Sequence, residues 1–105
     1  GDQDVYVNVV GGIKILETSA DLALVLCVLS SMRNLSLPSD LLVLGEVGLA
    51  GEIRPVVNGQ ERMREAEKHG FRCAIVPVAN NPKSKMKKMR VIPVKRLTDA
   101  MDVFF

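Results

Sequence analysis

The sequence predicts an α+β domain in which a mixed β-sheet packs against one buried core helix, with two further helices. Three observations lead to this prediction. The chain has 105 residues, enough to bury one core without disulfides or a metal, so we expect residues 1–105 to form a single domain. Hydrophobic residues make up 48% and charged residues 25%, as in ordinary globular proteins. Short apolar runs of strand length alternate with stretches at helical spacing, which indicates helices packed on a sheet.

The first half of the chain predicts three strands. Valines alternate over residues 5–10 and the run ends at the turn Gly11-Gly12, a pattern typical of a strand. Residues 13–16 form a short partner strand, and the continuous apolar run at residues 41–44 has the pattern of a buried strand.

Between these strands the sequence predicts the core helix. Thr18 with Asp21 three residues later resembles a helix-capping pair. The helix runs to about Arg33 and is apolar almost all round, so we expect it to be covered on several sides.

The second half of the chain predicts a hairpin, two helices and two more strands. These elements are a tight hairpin at residues 46–56, an amphipathic surface helix at residues 58–70, buried strands at residues 73–76 and 91–94, a polar basic loop at residues 79–88, and a closing helix from Leu97 to Phe104.

Composition excludes several classes of function. No apolar run reaches the roughly 18 residues that a membrane span needs, and no signal peptide is evident, so we expect a cytoplasmic protein. Aromatic residues make up 4%, too few for a platform on which bases stack. Cys27 and Cys73 lie in apolar runs and are expected to be buried thiols outside any disulfide. His69 lies at a helix end without nearby ligands, so we expect no metal site.

The charges are distributed unevenly along the chain. Seven of the 14 basic residues lie between Lys83 and Arg96, where there is no acid, whereas the other seven face all 12 acidic residues. A basic edge on an acidic body attracts polyanions and suits phosphate contacts. The alternative is a solvated loop whose lysines keep the domain soluble.

One stretch carries a specific family resemblance. Residues 45–56, Gly-Glu-Val-Gly-Leu-Ala-Gly-Glu-Ile-Arg-Pro-Val, resemble a motif in the proteolytic domain of Lon proteases, and the similarity extends over about residues 4–104. Ser19, within Glu-Thr-Ser-Ala-Asp, lines up with the catalytic serine of that family. Gln60, within Asn-Gly-Gln-Glu-Arg, takes the position of its catalytic lysine. The resemblance implies a Lon-protease-like fold from which the dyad lysine is missing.

Among Lon-like domains, the chain looks most like the C-terminal domain of the RadA (Sms) family of bacterial DNA-repair proteins. The patterns that carry this likeness include Val-Asn-Val-Val-Gly-Gly at residues 7–12, Ala-Asp-Leu-Ala at residues 20–23 and Gln-Glu-Arg at residues 60–62. In that family the domain follows a zinc-finger segment and a RecA-like ATPase core. The sequence has no Gly-x-x-x-x-Gly-Lys-Ser/Thr phosphate loop, so we expect no cofactor in this chain. ATP, Mg and Zn are expected only in the missing parts of the parent protein.

The residues at the dyad positions predict an inactive site. A serine hydroxyl needs a neighbouring base, and the Gln60 amide is not basic near neutral pH, so Ser19 would lose the roughly 100- to 10,000-fold contribution of general-base catalysis. Lys14 and Lys68 do not occupy the matched position, and Asp21 would place negative charge beside a developing oxyanion. We therefore expect no catalytic residues, with Ser19 capping the first helical turn. A residual serine peptidase that uses Ser19 is the alternative.

The resemblance implies a non-catalytic module that helps to assemble a hexameric ring and contacts the DNA backbone during recombination and branch migration. The expected phosphate contacts are Lys83, Lys85, Lys87, Lys88 and Arg90, with Arg33, Arg54, Arg62 and Arg64 as further contributors. Other implied partners are copies of the same chain and a recombinase, with no membrane. A purely structural oligomerisation domain is the alternative, because no motif marks the subunit contacts.

Overall fold

The structure is a computed structural model that describes the backbone of residues 7–10 and 13–16 and all of residues 21–105. Within these ranges the chain forms seven strands and three helices. In chain order they are β1 (Val7–Val10), β2 (Ile13–Leu16), α1 (Asp21–Met32), β3 (Leu41–Val43), β4 (Glu46–Val47), β5 (Ile53–Arg54), α2 (Gly59–Lys68), β6 (Cys73–Pro77), β7 (Arg90–Val94) and α3 (Leu97–Phe104). A short 3-10 turn, Val78–Asn80, follows β6.

Five strands form one sheet in the order β1-β2-β3-β6-β7, and β4 pairs with β5 in a separate hairpin. β1 and β2 are antiparallel, whereas β2, β3, β6 and β7 are parallel to one another. The predicted mixed sheet and three helices are confirmed, but the α+β class is wrong, because the sheet is mostly parallel and the domain is a small α/β domain. Parallel neighbours need crossover connections, and α1 and α2 lie in two of them.

The core lies on both faces of the sheet, because alternate residues of a strand point to opposite faces. On β3, Leu41 and Val43 belong to the cluster that contains Leu22 of α1. Leu42 between them belongs to the cluster that contains Met63 of α2. The two helices therefore cover opposite faces of the sheet.

Helix α1 confirms the predicted core helix but leaves one of its faces open. Its buried residues are Leu22, Ala23, Leu26, Cys27 and Ser30. On the opposite side, Leu24 is 48%, Val28 57% and Met32 74% exposed. The expectation of a helix covered on several sides is therefore wrong, because hydrophobicity along one helix does not specify which neighbours cover it. Thr18 and Ser19 lie outside the described residues.

The motif of residues 45–56 forms the predicted hairpin, and Glu52 organises its turn. The Gly48 N–H donates to the Glu52 carbonyl (2.8 Å), and the Ala50 N–H donates to the Glu52 carboxylate (3.1 Å). A Cβ at Gly48 would meet that carboxylate, so a larger residue there would displace the Glu52 side chain from the turn. The Arg96 guanidinium donates to the Ala50 carbonyl (2.6 Å), which ties the hairpin to the start of α3.

Two exposed carboxylates at this end of the domain are stabilised in their charged form. The backbone N–H of Glu52 and the Arg54 guanidinium hold the pKa of the Glu52 carboxyl below its usual value. The backbone N–H groups of Arg96 and Lys95, each 3.0 Å from the Asp99 carboxylate, lower the pKa of Asp99 in the same way. Hydrogen bonds to the charged form of an acid have this effect.

The remaining predicted elements are confirmed within a few residues at each end. They are the strands β3, β6 and β7, the helices α2 and α3, and the irregular basic loop. Helix α2 begins after Asn58, which has a left-handed backbone (φ 59°), a conformation that Asn tolerates better than most residues. Among the described residues, no helix is long and apolar enough to cross a membrane.

Candidate nucleic-acid interface

The basic loop is the connection between two parallel strands, β6 and β7. Cys73 pairs with Arg90 and Pro77 with Val94, so the chain must return along the whole length of the sheet between them. A helix usually makes such a return, but here a 3-10 turn and an irregular segment make it. We call residues 81–90 the basic crossover.

The basic crossover is anchored to the body of the domain at several points. Met89 is buried, Met86 is half-buried, and both pack in the cluster beneath α2. The Lys88 N–H donates to the Glu67 carboxylate of α2 (2.8 Å), and the Arg90 N–H donates to the Arg72 carbonyl (2.9 Å). The backbone of the crossover is thus held in place while its cationic side chains stay in solvent.

The predicted phosphate contacts of the crossover share one surface. Lys83, Lys85, Lys87, Lys88 and Arg90 are all exposed. Two cavities adjoin this surface, one of about 720 Å³ with Arg72 and Arg90 in its wall and one of about 350 Å³ with Gln60 and Arg64 in its wall. Arg64, which the sequence analysis named as a further contributor, thus lines a cavity together with residues of the crossover.

Arg72 is a cation of this surface that the sequence analysis missed. It lies one residue before β6, whereas Arg90 begins β7. The parallel register that pairs Cys73 with Arg90 brings the two arginines to the same end of the sheet. In the sequence, the only sign of this arrangement was that two apolar runs are each preceded by an arginine. The pairing of β6 with β7 was needed to show that the two arginines lie together.

Three other predicted contacts lie apart from the crossover. The Arg33 guanidinium lies 5.4 Å from the centre of the Phe105 ring, and Arg54 pairs with the Glu52 carboxylate (2.9 Å). The Nε and Nη1 atoms of Arg62 are buried without a hydrogen-bond partner. None of the three lines either cavity. The sequence analysis included these three arginines among the phosphate contacts only because they are positively charged.

Of the two positions that the family resemblance aligns with a catalytic dyad, the structure describes only one. Gln60 is exposed in the first turn of α2 and borders the smaller cavity beside the basic crossover. Ser19 lies outside the described residues, and the side chain of Lys14 does too. The Asp21 carboxylate accepts a hydrogen bond from the Val47 N–H (3.4 Å), so it links α1 to the hairpin.

The potential metal ligands and the two cysteines of the described residues have the following surroundings. In residues 21–105 no group of three or more His, Cys, Asp or Glu residues could hold a metal ion. Cys27 is buried as expected, but the expectation is wrong for Cys73, which is only half-buried at the edge of its apolar run. Burial raises the pKa of both thiols. A raised pKa disfavours the reactive thiolate, which agrees with a structural role for both cysteines.

Known proteins resemble this chain in two ways. The chain is 66% identical over 102 residues to the DNA repair protein RadA of Haemophilus influenzae, 65% over 103 residues to that of Escherichia coli K12, and 61% over 104 residues to that of Pseudomonas aeruginosa. These alignments cover 97%, 98% and 99% of this chain but only 22%, 22% and 23% of those proteins. Residues 2–80 match the family model described as subunit ChlI of Mg-chelatase. Since this match covers most of the chain, the chain belongs to the ChlI family, and its homologues include the RadA DNA repair proteins.

Proposed function

We propose that this domain is a non-proteolytic C-terminal module of a RadA-like DNA repair and recombination ATPase. In this proposal it binds the DNA backbone without sequence preference during branch migration and helps to assemble the ring of subunits. The single observation that carries the DNA-binding part is the anchored basic crossover, flanked by arginines from two other segments. ATP hydrolysis, and the Mg and Zn that go with the parent protein, belong to segments outside this chain.

The anchoring supports phosphate binding over a merely solubilising role for the lysines. A solvated loop needs no fixed backbone, yet this one is held by two methionines and by the bond from Lys88 to Glu67. Fixing the backbone before binding lowers the entropic cost of association. Cations on neighbouring elements, Arg64 and Arg72, extend the positive surface beyond the loop itself.

Salt dependence of duplex binding tests this proposal. Fluorescence anisotropy of a labelled duplex, titrated with the 105-residue chain at several salt concentrations, measures the slope of log K against log salt. Each neutralised phosphate contributes about −0.9, so three to five contacts give a slope of roughly −3 to −4.5. No binding at low salt by the folded chain contradicts the proposal.

The absence of proteolysis is tested separately. An amide at position 60 cannot take a proton from a serine near neutral pH, so we expect no labelling by a fluorophosphonate probe. Labelling that the Ser19→Ala variant abolishes would favour the residual peptidase instead. A circular dichroism spectrum of the variant shows whether it is folded, so that lost labelling can be assigned to the missing hydroxyl.

The open face of α1 favours the assembly part of the proposal. Leu24, Val28 and Met32 are spaced four residues apart and form one exposed apolar row on the helix. Rows of this kind mark interaction surfaces, and we assign this one to a second copy of the chain, in line with the proposed ring. A recombinase as a further partner and a cytoplasmic location remain parts of the proposal that rest on the family resemblance.

Sedimentation velocity over a range of concentrations tests this contact. We expect Val28→Asp to reduce self-association at least tenfold, because a carboxylate would be buried in an apolar contact. Val57→Asp is the matched control, since Val57 is 75% exposed but lies outside α1. Equal effects of both variants, or a chain that stays monomeric at all concentrations, would rule out this face as the subunit contact.

A further inference from the structure

The basic crossover stands between two cavities as a ridge. The residues that line both cavities are Pro82, Lys83, Lys85, Met86 and Lys87. The larger cavity continues toward β6 and β7, and the smaller one continues toward α2. The ridge is a single irregular segment of chain.

Each cavity has a cation in its wall that comes from outside the basic crossover. The larger cavity is lined by Arg72, together with Arg90 at the end of the crossover itself, and the smaller one by Arg64 of α2. The acid in the smaller cavity, Glu67, is engaged as the acceptor for the Lys88 N–H. Positive charge therefore lies along the ridge and on both sides of it.

This arrangement fits a partner with two parallel rows of negative charge and a narrow gap between them. The minor groove of B-form DNA is about 6 Å wide and 7.5 Å deep, with a phosphate backbone on each side. Such a groove admits an extended segment with basic side chains, as in proteins that use arms to bind it. A single strand would occupy one cavity and leave the cation of the other without a phosphate.

We propose that the basic crossover enters the minor groove of duplex DNA, with Arg72 and Arg90 at the phosphates of one strand and Arg64 at those of the other. This inference rests on the proposed DNA binding and adds to it which groove is used and which residue meets which strand. Narrow minor grooves have enhanced negative potential, so the same geometry predicts tighter binding to a duplex with a central A-tract than to a mixed sequence of equal length.

Dimethyl sulfate footprinting of a short duplex saturated with the 105-residue chain reads both grooves in one experiment. Adenine N3 lies in the minor groove and guanine N7 in the major groove. We expect adenine N3 to be protected at least threefold and guanine N7 to react as in free DNA. Protection of guanine N7, or binding without protection of either atom, overturns the groove assignment while leaving backbone binding intact. Failure to bind the duplex at low salt overturns both proposals.

Single substitutions test whether Arg64 and Arg72 each contact a phosphate. Arg64→Ala and Arg72→Ala should each make the salt slope shallower by about 1, and their effects should add, because each removes one phosphate contact. Lys68→Ala is the matched control, since Lys68 is exposed at the end of α2 and lines neither cavity. An unchanged slope in either arginine variant contradicts the assignment of that arginine.

Discussion

Met89 provides a direct test of the claim that the basic crossover is anchored in the core. Its side chain is 4% exposed and belongs to the cluster that joins β3, β6 and α2. Replacement by alanine removes buried apolar atoms and leaves a cavity, which costs about 2–5 kcal/mol for methionine. In a domain of this size each kcal/mol shifts the melting temperature by about 4–8 °C, so Met89→Ala should lower it by roughly 8–40 °C.

The control variants use the same segment of chain. Met89→Leu nearly conserves the buried volume and should cost less than about 1.5 kcal/mol. Met86→Ala should cost less than Met89→Ala, because Met86 is only half-buried. Urea denaturation followed by circular dichroism measures all three free energies of unfolding. A Met89→Ala protein within about 0.5 kcal/mol of the wild type would show that the crossover is not held by this contact, and the argument from anchoring would fail.

Two further predictions concern stability. The pKa values of Glu52 and Asp99 are lowered in the folded state, so their stabilising contribution is present above the unfolded-state values and is lost as the pH falls through the folded-state values. Thermal unfolding should therefore shift to lower temperature as the pH falls below about 4.5. The combined Glu52→Gln and Asp99→Asn substitutions should flatten that shift, and an equally steep shift in the double variant contradicts this account. Asn80 accepts a bond from the Val56 N–H (2.8 Å) and donates to the Val56 carbonyl (3.0 Å), so Asn80→Ala should lower the free energy of unfolding by about 1–3 kcal/mol. Urea denaturation checks this, and a loss below about 0.5 kcal/mol would mean that water replaces both bonds.

Local patterns in the sequence were sufficient to locate most elements of the fold. Alternation and apolar runs identified the strands at residues 41–44, 73–76 and 91–94, and the glycines at 48 and 51 identified the hairpin. The class of the sheet could not be predicted in the same way, because whether neighbouring strands are parallel depends on contacts between distant segments. The α/β class follows from the order of β3, β6 and β7 in the sheet, which no local pattern contains.

The candidate site was predictable in part, for the same reason. A run of lysines without acids is visible in the sequence, and it identified the crossover. Arg72 became part of the surface only through the register of β6 with β7. Arg54 and Arg62 have surroundings that the sequence did not show, since Arg54 is paired with Glu52 and Arg62 has two buried guanidinium nitrogens. Charge counts do not show which cations have ion-pair partners or are removed from solvent.

The central claim is that the crossover cations bind DNA phosphates, and one comparison tests it most directly. The salt slope of duplex binding is measured for Lys87→Glu and for Lys68→Glu, which changes the net charge equally at an exposed lysine that lines neither cavity. One lost phosphate contact should make the slope shallower by about 0.9 in the crossover variant, while the control should keep nearly the wild-type slope. Equal slopes for the two variants would mean that overall charge, and not this surface, binds the DNA.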